Sequence, residues 1–381
     1  MYIDNVLVFT SEHEFVPGWL KVAEGRIDAV AVHGERLEIE DGSQVIDGGG
    51  CYAIAGLVDI HLHGCMGADV SDALPDSLPV MAEYEASQGV TTICPATMTM
   101  SKPELHSIMH SIAAYQEPLG KVCAHLGGIN MEGPFVSPAR KGAQKAENII
   151  PCSVELFQKL QEECGGLIRL VDIAPEEPGA MEFIGKVKDE VAVSLAHTAA
   201  DYDTAMEAFR SGASHVTHLY NAMNPFHHRS PGVPGAAADT GAYVELICDG
   251  VHIHPAMARA MFKLFGSHRI CLISDSMRAA GLADGDYTLG GQQVKVEGSL
   301  ATLADGTIAG SVTNLMKCMK KVVQDMGISL EEAVEAATET PARSVGLDAV
   351  CGTLSPQKQA DIVLLDRKLD IKLVMVGGKI R

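Results

Sequence analysis

Hydrophobic positions along this 381-residue chain fall into two regimes. At both ends, short apolar stretches alternate with polar residues at a period of two, the mark of half-buried strands. Near the start these stretches are 6–9, 19–22, 26–32 and 44–47, separated by turn formers at Gly25, Gly34 and Gly48-Gly49-Gly50. Near the end, 361–365 and 371–376 read the same way, and Gly377-Gly378 closes the last of them. The middle has another rhythm, in which a short apolar run gives way to an amphipathic helical stretch. Eight strands are predicted there, at 58–61, 91–96, 126–132, 168–174, 191–197, 215–220, 243–249 and 270–275. Helix starts punctuate the same region. Ser101-x-x-Glu104 and Ser329-x-x-Glu332 have capping-box spacing, and Pro103 is tolerated in a first turn.

Eight strand–helix units over 56–348 predict an α/β fold, a (β/α)8 TIM barrel, rather than an open doubly wound sheet. No G-x-G-x-x-G follows the first strand, which weakens a dinucleotide-binding reading. The two β-rich ends, 1–55 and 349–381, predict one small β-sandwich domain built from both termini.

Composition narrows the partners. Hydrophobic residues make up 47% and charged residues 20%, which describes a soluble globular chain with a large core. The formal net charge of −20 repels nucleic acid and anionic membrane, so neither is an expected partner. An anionic small substrate needs a local basic patch within that acidic shell. Ten cysteines with no C-x-x-C pair, and a start lacking signal-peptide character, predict reduced thiols and a cytoplasmic location. No apolar segment approaches the roughly 20 residues needed to span a bilayer.

Candidate chemistry collects at the ends of the predicted barrel strands, where active sites of this architecture lie. The first strand ends in His61-Leu62-His63, whose alternate positions face one side and suit a divalent metal such as zinc or iron. The third strand ends at Glu132, the fifth at His197, the sixth at His218, the seventh at Asp249 with His252 beyond it, and the eighth at Asp275. Each alone has an ordinary alternative. His197 and His218 can be satisfied structural histidines, Glu132 can cap a turn, and Asp275 can be an N-cap. Their shared address is what points to a metal-dependent site. His215 is expected to pack elsewhere, and Cys65, Cys94, Cys248 and Cys271 lack the spacing of metal ligands.

Beyond single positions, the segments G-L-V-D-I-H-L-H-G at 56–64, M-E-G-P-F at 131–135, K-G-A-Q at 141–144, A-H-T at 196–198 and T-H-L-Y-N-A-M at 217–223 resemble one family. With H-R-S-P-G at 228–232, D-G-V-H at 249–252, S-D-S at 274–276 and A-G-S at 309–311, the chain is similar throughout to the N-acetylglucosamine-6-phosphate deacetylases of the amidohydrolase superfamily. The resemblance implies a metal-dependent barrel, usually dimeric, that hydrolyses the acetamide of an amino-sugar phosphate. It implies that Glu132, His197 and His218 hold the principal metal and that Asp275 is the catalytic acid/base. His61 and His63 match the two-metal version of the family, with Glu132 as the bridge, so one or two ions per chain are expected, zinc first, with iron, cobalt or manganese as alternatives. Asn221, Ala222, Arg229 and His252 match substrate-contacting positions, as do Ala143, Gln144, Ile308, Ala309 and Gly310. His252 is also expected to stabilise the oxyanion.

A phosphate patch is expected at His227-His228-Arg229, with Arg140 or Lys141 nearby; the resemblance implies an arginine that can be supplied across a homodimer interface, so Arg229 is expected to serve either its own or the neighbouring subunit. Asn130 departs from the family, which often has histidine there. Two other reactions fit the same barrel: deacetylation of N-acetylgalactosamine 6-phosphate, and hydrolysis of a cyclic amide. The second usually needs a carboxylated lysine, and no lysine stands in a matching place. A non-catalytic sugar-phosphate sensor should have lost Asp275 or a ligand, and this chain has lost neither.

Overall fold

The computed structural model describes residues 1–35 and 38–381. Its centre is a curled parallel sheet. Six strands hydrogen-bond side by side in chain order: Ile129–Met131, Ile168–Ile173, Ala192–Leu195, His215–Val216, Tyr243–Ile247 and Ile270–Ile273. Leu57–Leu62 and Val90–Pro95 pair in parallel and complete the eight. Closure comes from a few bonds at each of the two seams. Ala96 bridges Asn130, and the Asp275 N–H donates to the His61 carbonyl at 2.9 Å. Val90–Pro95 is buried along its whole length, as a barrel strand covered by helices must be.

Helices alternate with the strands, as predicted. They run from Ser77–Ser87 and Lys102–Ala113 after the first two strands to Leu315–Gln324 after the eighth. The last shows why these stretches are helical. It buries Leu315, Met316, Cys318, Met319 and Val322 on one stripe, and the Asn314 side chain caps its start by accepting from the Lys317 N–H. Both predicted capping boxes form, at Ser101 and at Ser329.

The two chain ends meet in one seven-stranded sheet. Ile362–Leu365 inserts between Ile371–Val376 and Val45–Ala55, next to the strands of the first residues. Its own core gathers Ile3, Val8, Leu20, Ile27, Ala53, Ile362, Leu364 and Met375. All ten cysteines are free thiols.

One element escaped the sequence reading. Gly285–Leu289, Gln292–Glu297 and Leu300–Thr302 form a separate three-stranded antiparallel sheet between the eighth barrel strand and its helix. The Gly290-Gly291 dipeptide between two alternating runs was the available hairpin signal. The side chain of Gln292 on this sheet donates to the Ala143 carbonyl, tying it to the loop that walls the site.

Candidate metal centre and active site

All barrel strands but the first stop short of their predicted ends, and at the fifth, sixth and eighth the residues beyond the stop turn inward. His197, His218 and Asp275 each lie two positions past a strand, with φ of 43°, 28° and 47°. Non-glycine residues enter this left-handed region at a cost of about 1–3 kcal/mol and persist where surrounding contacts hold them. Here backbone bonds do so. The His197 carbonyl accepts from Ser137 N–H, and the Ser311 N–H is held by the Asp275 carbonyl at 2.7 Å. Glu132 follows the third strand directly, and Gly133 after it has φ 80°. A Cβ at Gly133 would sit 2.1 Å from Thr99 Oγ1, so no larger residue fits that turn.

Three donor atoms meet at the barrel mouth. The Nε2 atoms of His197 and His218 each lie 3.1 Å from Glu132 Oε1, and 3.1 Å from one another. A tetrahedral ion with bonds of about 2.0 Å sets its ligands roughly 3.3 Å apart, so this triangle has the size of one face of such a site. His61 and His63 stand beside it. His61 Nε2 is 3.6 Å from Glu132 Oε1, His63 Nε2 is 3.5 Å from Glu132 Oε2, and the two are 3.8 and 3.2 Å from Asp275 Oδ1.

In three of the four histidines the opposite ring nitrogen is already engaged. Nδ1 of His61 lies 2.9 Å from Glu245 Oε2, Nδ1 of His63 is 3.0 Å from the Ala96 carbonyl, and Nδ1 of His197 is 3.1 Å from the Arg140 carbonyl. Each acceptor calls for a proton on Nδ1 and leaves Nε2 as a free lone pair, the tautomer a metal ligand needs. Among the described residues the buried Nε2 of His61 has no hydrogen-bond partner, which is the expected mark of an imidazole oriented for an ion. The residues present therefore fit a divalent cation.

Electrostatics agree. Burial alone would raise the carboxyls of Glu132 and Asp275, yet both are held below their usual range. His197 and His218 do so for Glu132, and His63 and His61 for Asp275. Burial works against a charged His61, and the surrounding Glu245, Asp275 and Glu132 outweigh it, holding its pKa well up. A cation among these groups would balance that concentration of carboxylates.

A cavity of about 530 Å³ opens above the cluster, within the range that takes a sugar-sized ligand. Its lining brings together His63, Glu132, His197, His218, Asp275 and His252 with the predicted contacts Ala143, Gln144, Asn221, Ala222, Ile308 and Gly310. Nδ1 of His252 is 2.8 Å from Asp249 Oδ2, which leaves Nε2 for a ligand. His61 lies beneath the floor, fully buried, and Ala309 is buried without reaching the cavity. Arg229 and His228 are not brought to it. Arg229 donates from Nη1 to His228 Nε2 at 2.9 Å on an exposed loop and lines a neighbouring surface hollow with Asp201 and Tyr202. Within the cavity wall the cations are Arg140 and Lys141.

Comparison with known proteins settles the lineage. The amidohydrolase family profile matches residues 52–381. This chain belongs to that family. Within it, the chain falls among the N-acetylglucosamine-6-phosphate deacetylases. It is 38% identical to the Bacillus subtilis (strain 168) N-acetylglucosamine-6-phosphate deacetylase, over all of this chain and 96% of that one. It is 36% identical to an Escherichia coli O157:H7 N-acetylgalactosamine-6-phosphate deacetylase, over 85% of this chain and 86% of the relative. A mutant Mycobacterium smegmatis N-acetyl-D-glucosamine-6-phosphate deacetylase, solved in complex with N-acetyl-D-glucosamine-6-phosphate, superposes with a TM-score of 0.91 at 31% identity. It covers all of this chain and 98% of that one.

Sequence reading missed two members of this amidohydrolase site. Glu245, fully buried on the seventh strand, accepts through Oε2 from the His218 N–H at 3.0 Å as well as facing His61. It sits mid-strand among apolar neighbours, and only its charge in a buried run marked it. Asp59, two residues before His61, accepts from the His61 N–H at 3.2 Å, and burial pushes its carboxyl up to about 7. Asn130, the departure from the family, is buried in the barrel and donates weakly to the Ile60 carbonyl at 3.4 Å.

Proposed function

We propose that this chain hydrolyses the acetamide of N-acetyl-D-glucosamine 6-phosphate, yielding D-glucosamine 6-phosphate and acetate. The observation that carries the reading is the triangle formed by Glu132, His197 and His218 in the floor of a cavity that Asp275 also lines. Glu132, His197 and His218 would hold a divalent ion, zinc by preference for this nitrogen–oxygen donor set, with iron, cobalt or manganese also compatible. Such an ion supplies Lewis acidity toward the amide carbonyl and the attacking water.

The remaining chemistry falls to side chains. Asp275, held ionised at neutral pH by His63 and His61 against its burial, accepts a proton from the water and returns it to the sugar nitrogen as the C–N bond breaks. That return is necessary, because an amide anion is too basic to leave. Burial would lower the imidazole of His252, but Asp249 raises it, so His252 can donate from Nε2 to the developing oxyanion. Asn221, Ala222, Ala143 and the Ile308–Gly310 turn would position the sugar. Lys141 and Arg140 would meet the phosphate from this chain, and Arg229 from the second subunit of a homodimer, in a cytoplasmic setting.

Acetate release, measured side by side on N-acetylglucosamine 6-phosphate and N-acetylgalactosamine 6-phosphate, with and without chelator, tests the reading. We expect chelator-sensitive turnover with the gluco substrate preferred. Preference for the galacto substrate would reassign the sugar, in line with the Escherichia coli relative, and chelator-insensitive turnover would remove the metal.

A further inference from the structure

Gln144 was expected to touch substrate, yet its amide is turned into the protein. The side chain is buried, and its two ends have fixed roles. Oε1 accepts from the Thr99 backbone N–H at 2.7 Å, and a backbone N–H can only donate. The other end must therefore be Nε2, and it donates to Glu132 Oε2 at 2.6 Å.

This bond divides the two oxygens of Glu132. Oε1 is left facing Nε2 of both His197 and His218 at 3.1 Å. Oε2, the oxygen 3.5 Å from His63 Nε2, is the one that Gln144 holds. At the second position Oε2 is the Glu132 oxygen facing His63, while Oε1, 3.6 Å from His61 Nε2, is the oxygen already shared by His197 and His218. The amide proton draws charge from Oε2 and fixes the rotation of the carboxylate. The donors around the second position are also more widely spaced, at 3.2 to 3.8 Å against 3.1 Å for the first.

Resting on the metal-dependent reading above, we propose that Gln144 restricts Glu132 to one metal-facing oxygen and so makes the His61/His63 position the weaker of two cation sites. Gln144 is a positioning residue in this account. It acts through Glu132 and sets how many ions the enzyme carries when metal is scarce.

The test is a titration of metal-stripped full-length protein with Zn²⁺ in competition with a chromophoric chelator. Wild type should bind a first ion tightly and a second at least about tenfold more weakly. Gln144→Met and Gln144→Leu both remove the donor without adding charge, so either suffices should the other fail to fold. In these variants the second ion should tighten about tenfold with the first unchanged, and His63→Asn added to either should abolish the gain. A second-ion affinity unchanged from wild type, or a parallel loss at both positions, overturns the proposal. Two equally tight ions in wild type also overturn it. Wild-type protein that takes up no ion overturns the metal reading itself.

Discussion

At the scale of single residues, the site is governed by which atom of each side chain is already engaged. Asp275 shows the consequence for catalysis. Asp275→Asn keeps the shape of the side chain and removes its ability to take a proton, so kcat should fall by about 10²–10⁴. Metal content measured on the same protein should be retained, and a near-normal kcat would reject the role. Glu245 shows the consequence for metal affinity. Its Oε2 orients the His61 ring and holds the backbone of His218. Glu245→Ala should weaken metal binding by about 10–100-fold in chelator competition, with a smaller loss for Glu245→Gln, which keeps an acceptor oxygen. Candidates at this scale were legible because few residue types ligate metals and they recur at strand ends. Glu245 was not, because nothing in a run of buried residues tells which one faces a histidine from another strand.

At the scale of elements, the inward turns at strand ends are what assemble the centre. The predicted strand 215–220 is observed only as His215–Val216, because the chain must leave the sheet at Thr217 to bring His218 round at φ 28°. The predicted strand 191–197 ends at Leu195 for the same reason at His197. Periodicity located all eight strands, and the turns that end them carry no alternation to read. Gly133 belongs to this level. Gly133→Ala would drive a methyl group to 2.1 Å from Thr99 Oγ1 at a φ of 80°, so the loop must shift and carry Glu132 with it. The expected result is a loss of about 1–3 kcal/mol in denaturant unfolding together with lower metal occupancy. A variant with native stability and full occupancy would show that Glu132 is placed by other contacts.

At the scale of the molecule, one histidine links the barrel to the sheet built from the chain ends. His125, at the start of the third barrel strand segment, lies 2.8 Å from Glu117 Oε1 and 3.6 Å from Asp361 Oδ1, next to Ile362–Leu365. Burial would lower its pKa, but Asp361 and Glu117 outweigh that and raise it to about 9. The stabilisation from a raised histidine is complete below the unfolded value near 6.5 and fades as pH climbs through 9. Unfolding free energy should therefore drop by on the order of 2 kcal/mol between pH 6 and 9.5, and His125→Gln should flatten that slope. An unchanged slope in the variant would assign the pH dependence to other groups.

The sequence by itself determined the alternation of strands and helices, the joining of two β-rich ends, and the short list of residues able to bind a cation. Those follow from local periodicity and side-chain chemistry, which are properties of neighbours along the chain. Tertiary structure alone decided that Gln144 faces Glu132, that Glu245 backs His61, and that Arg229 stands outside this chain's cavity. These are pairings across 12 and 184 positions of sequence, or the lack of one. Only the closing of the barrel sets the distances on which hydrogen bonds and metal ligation depend.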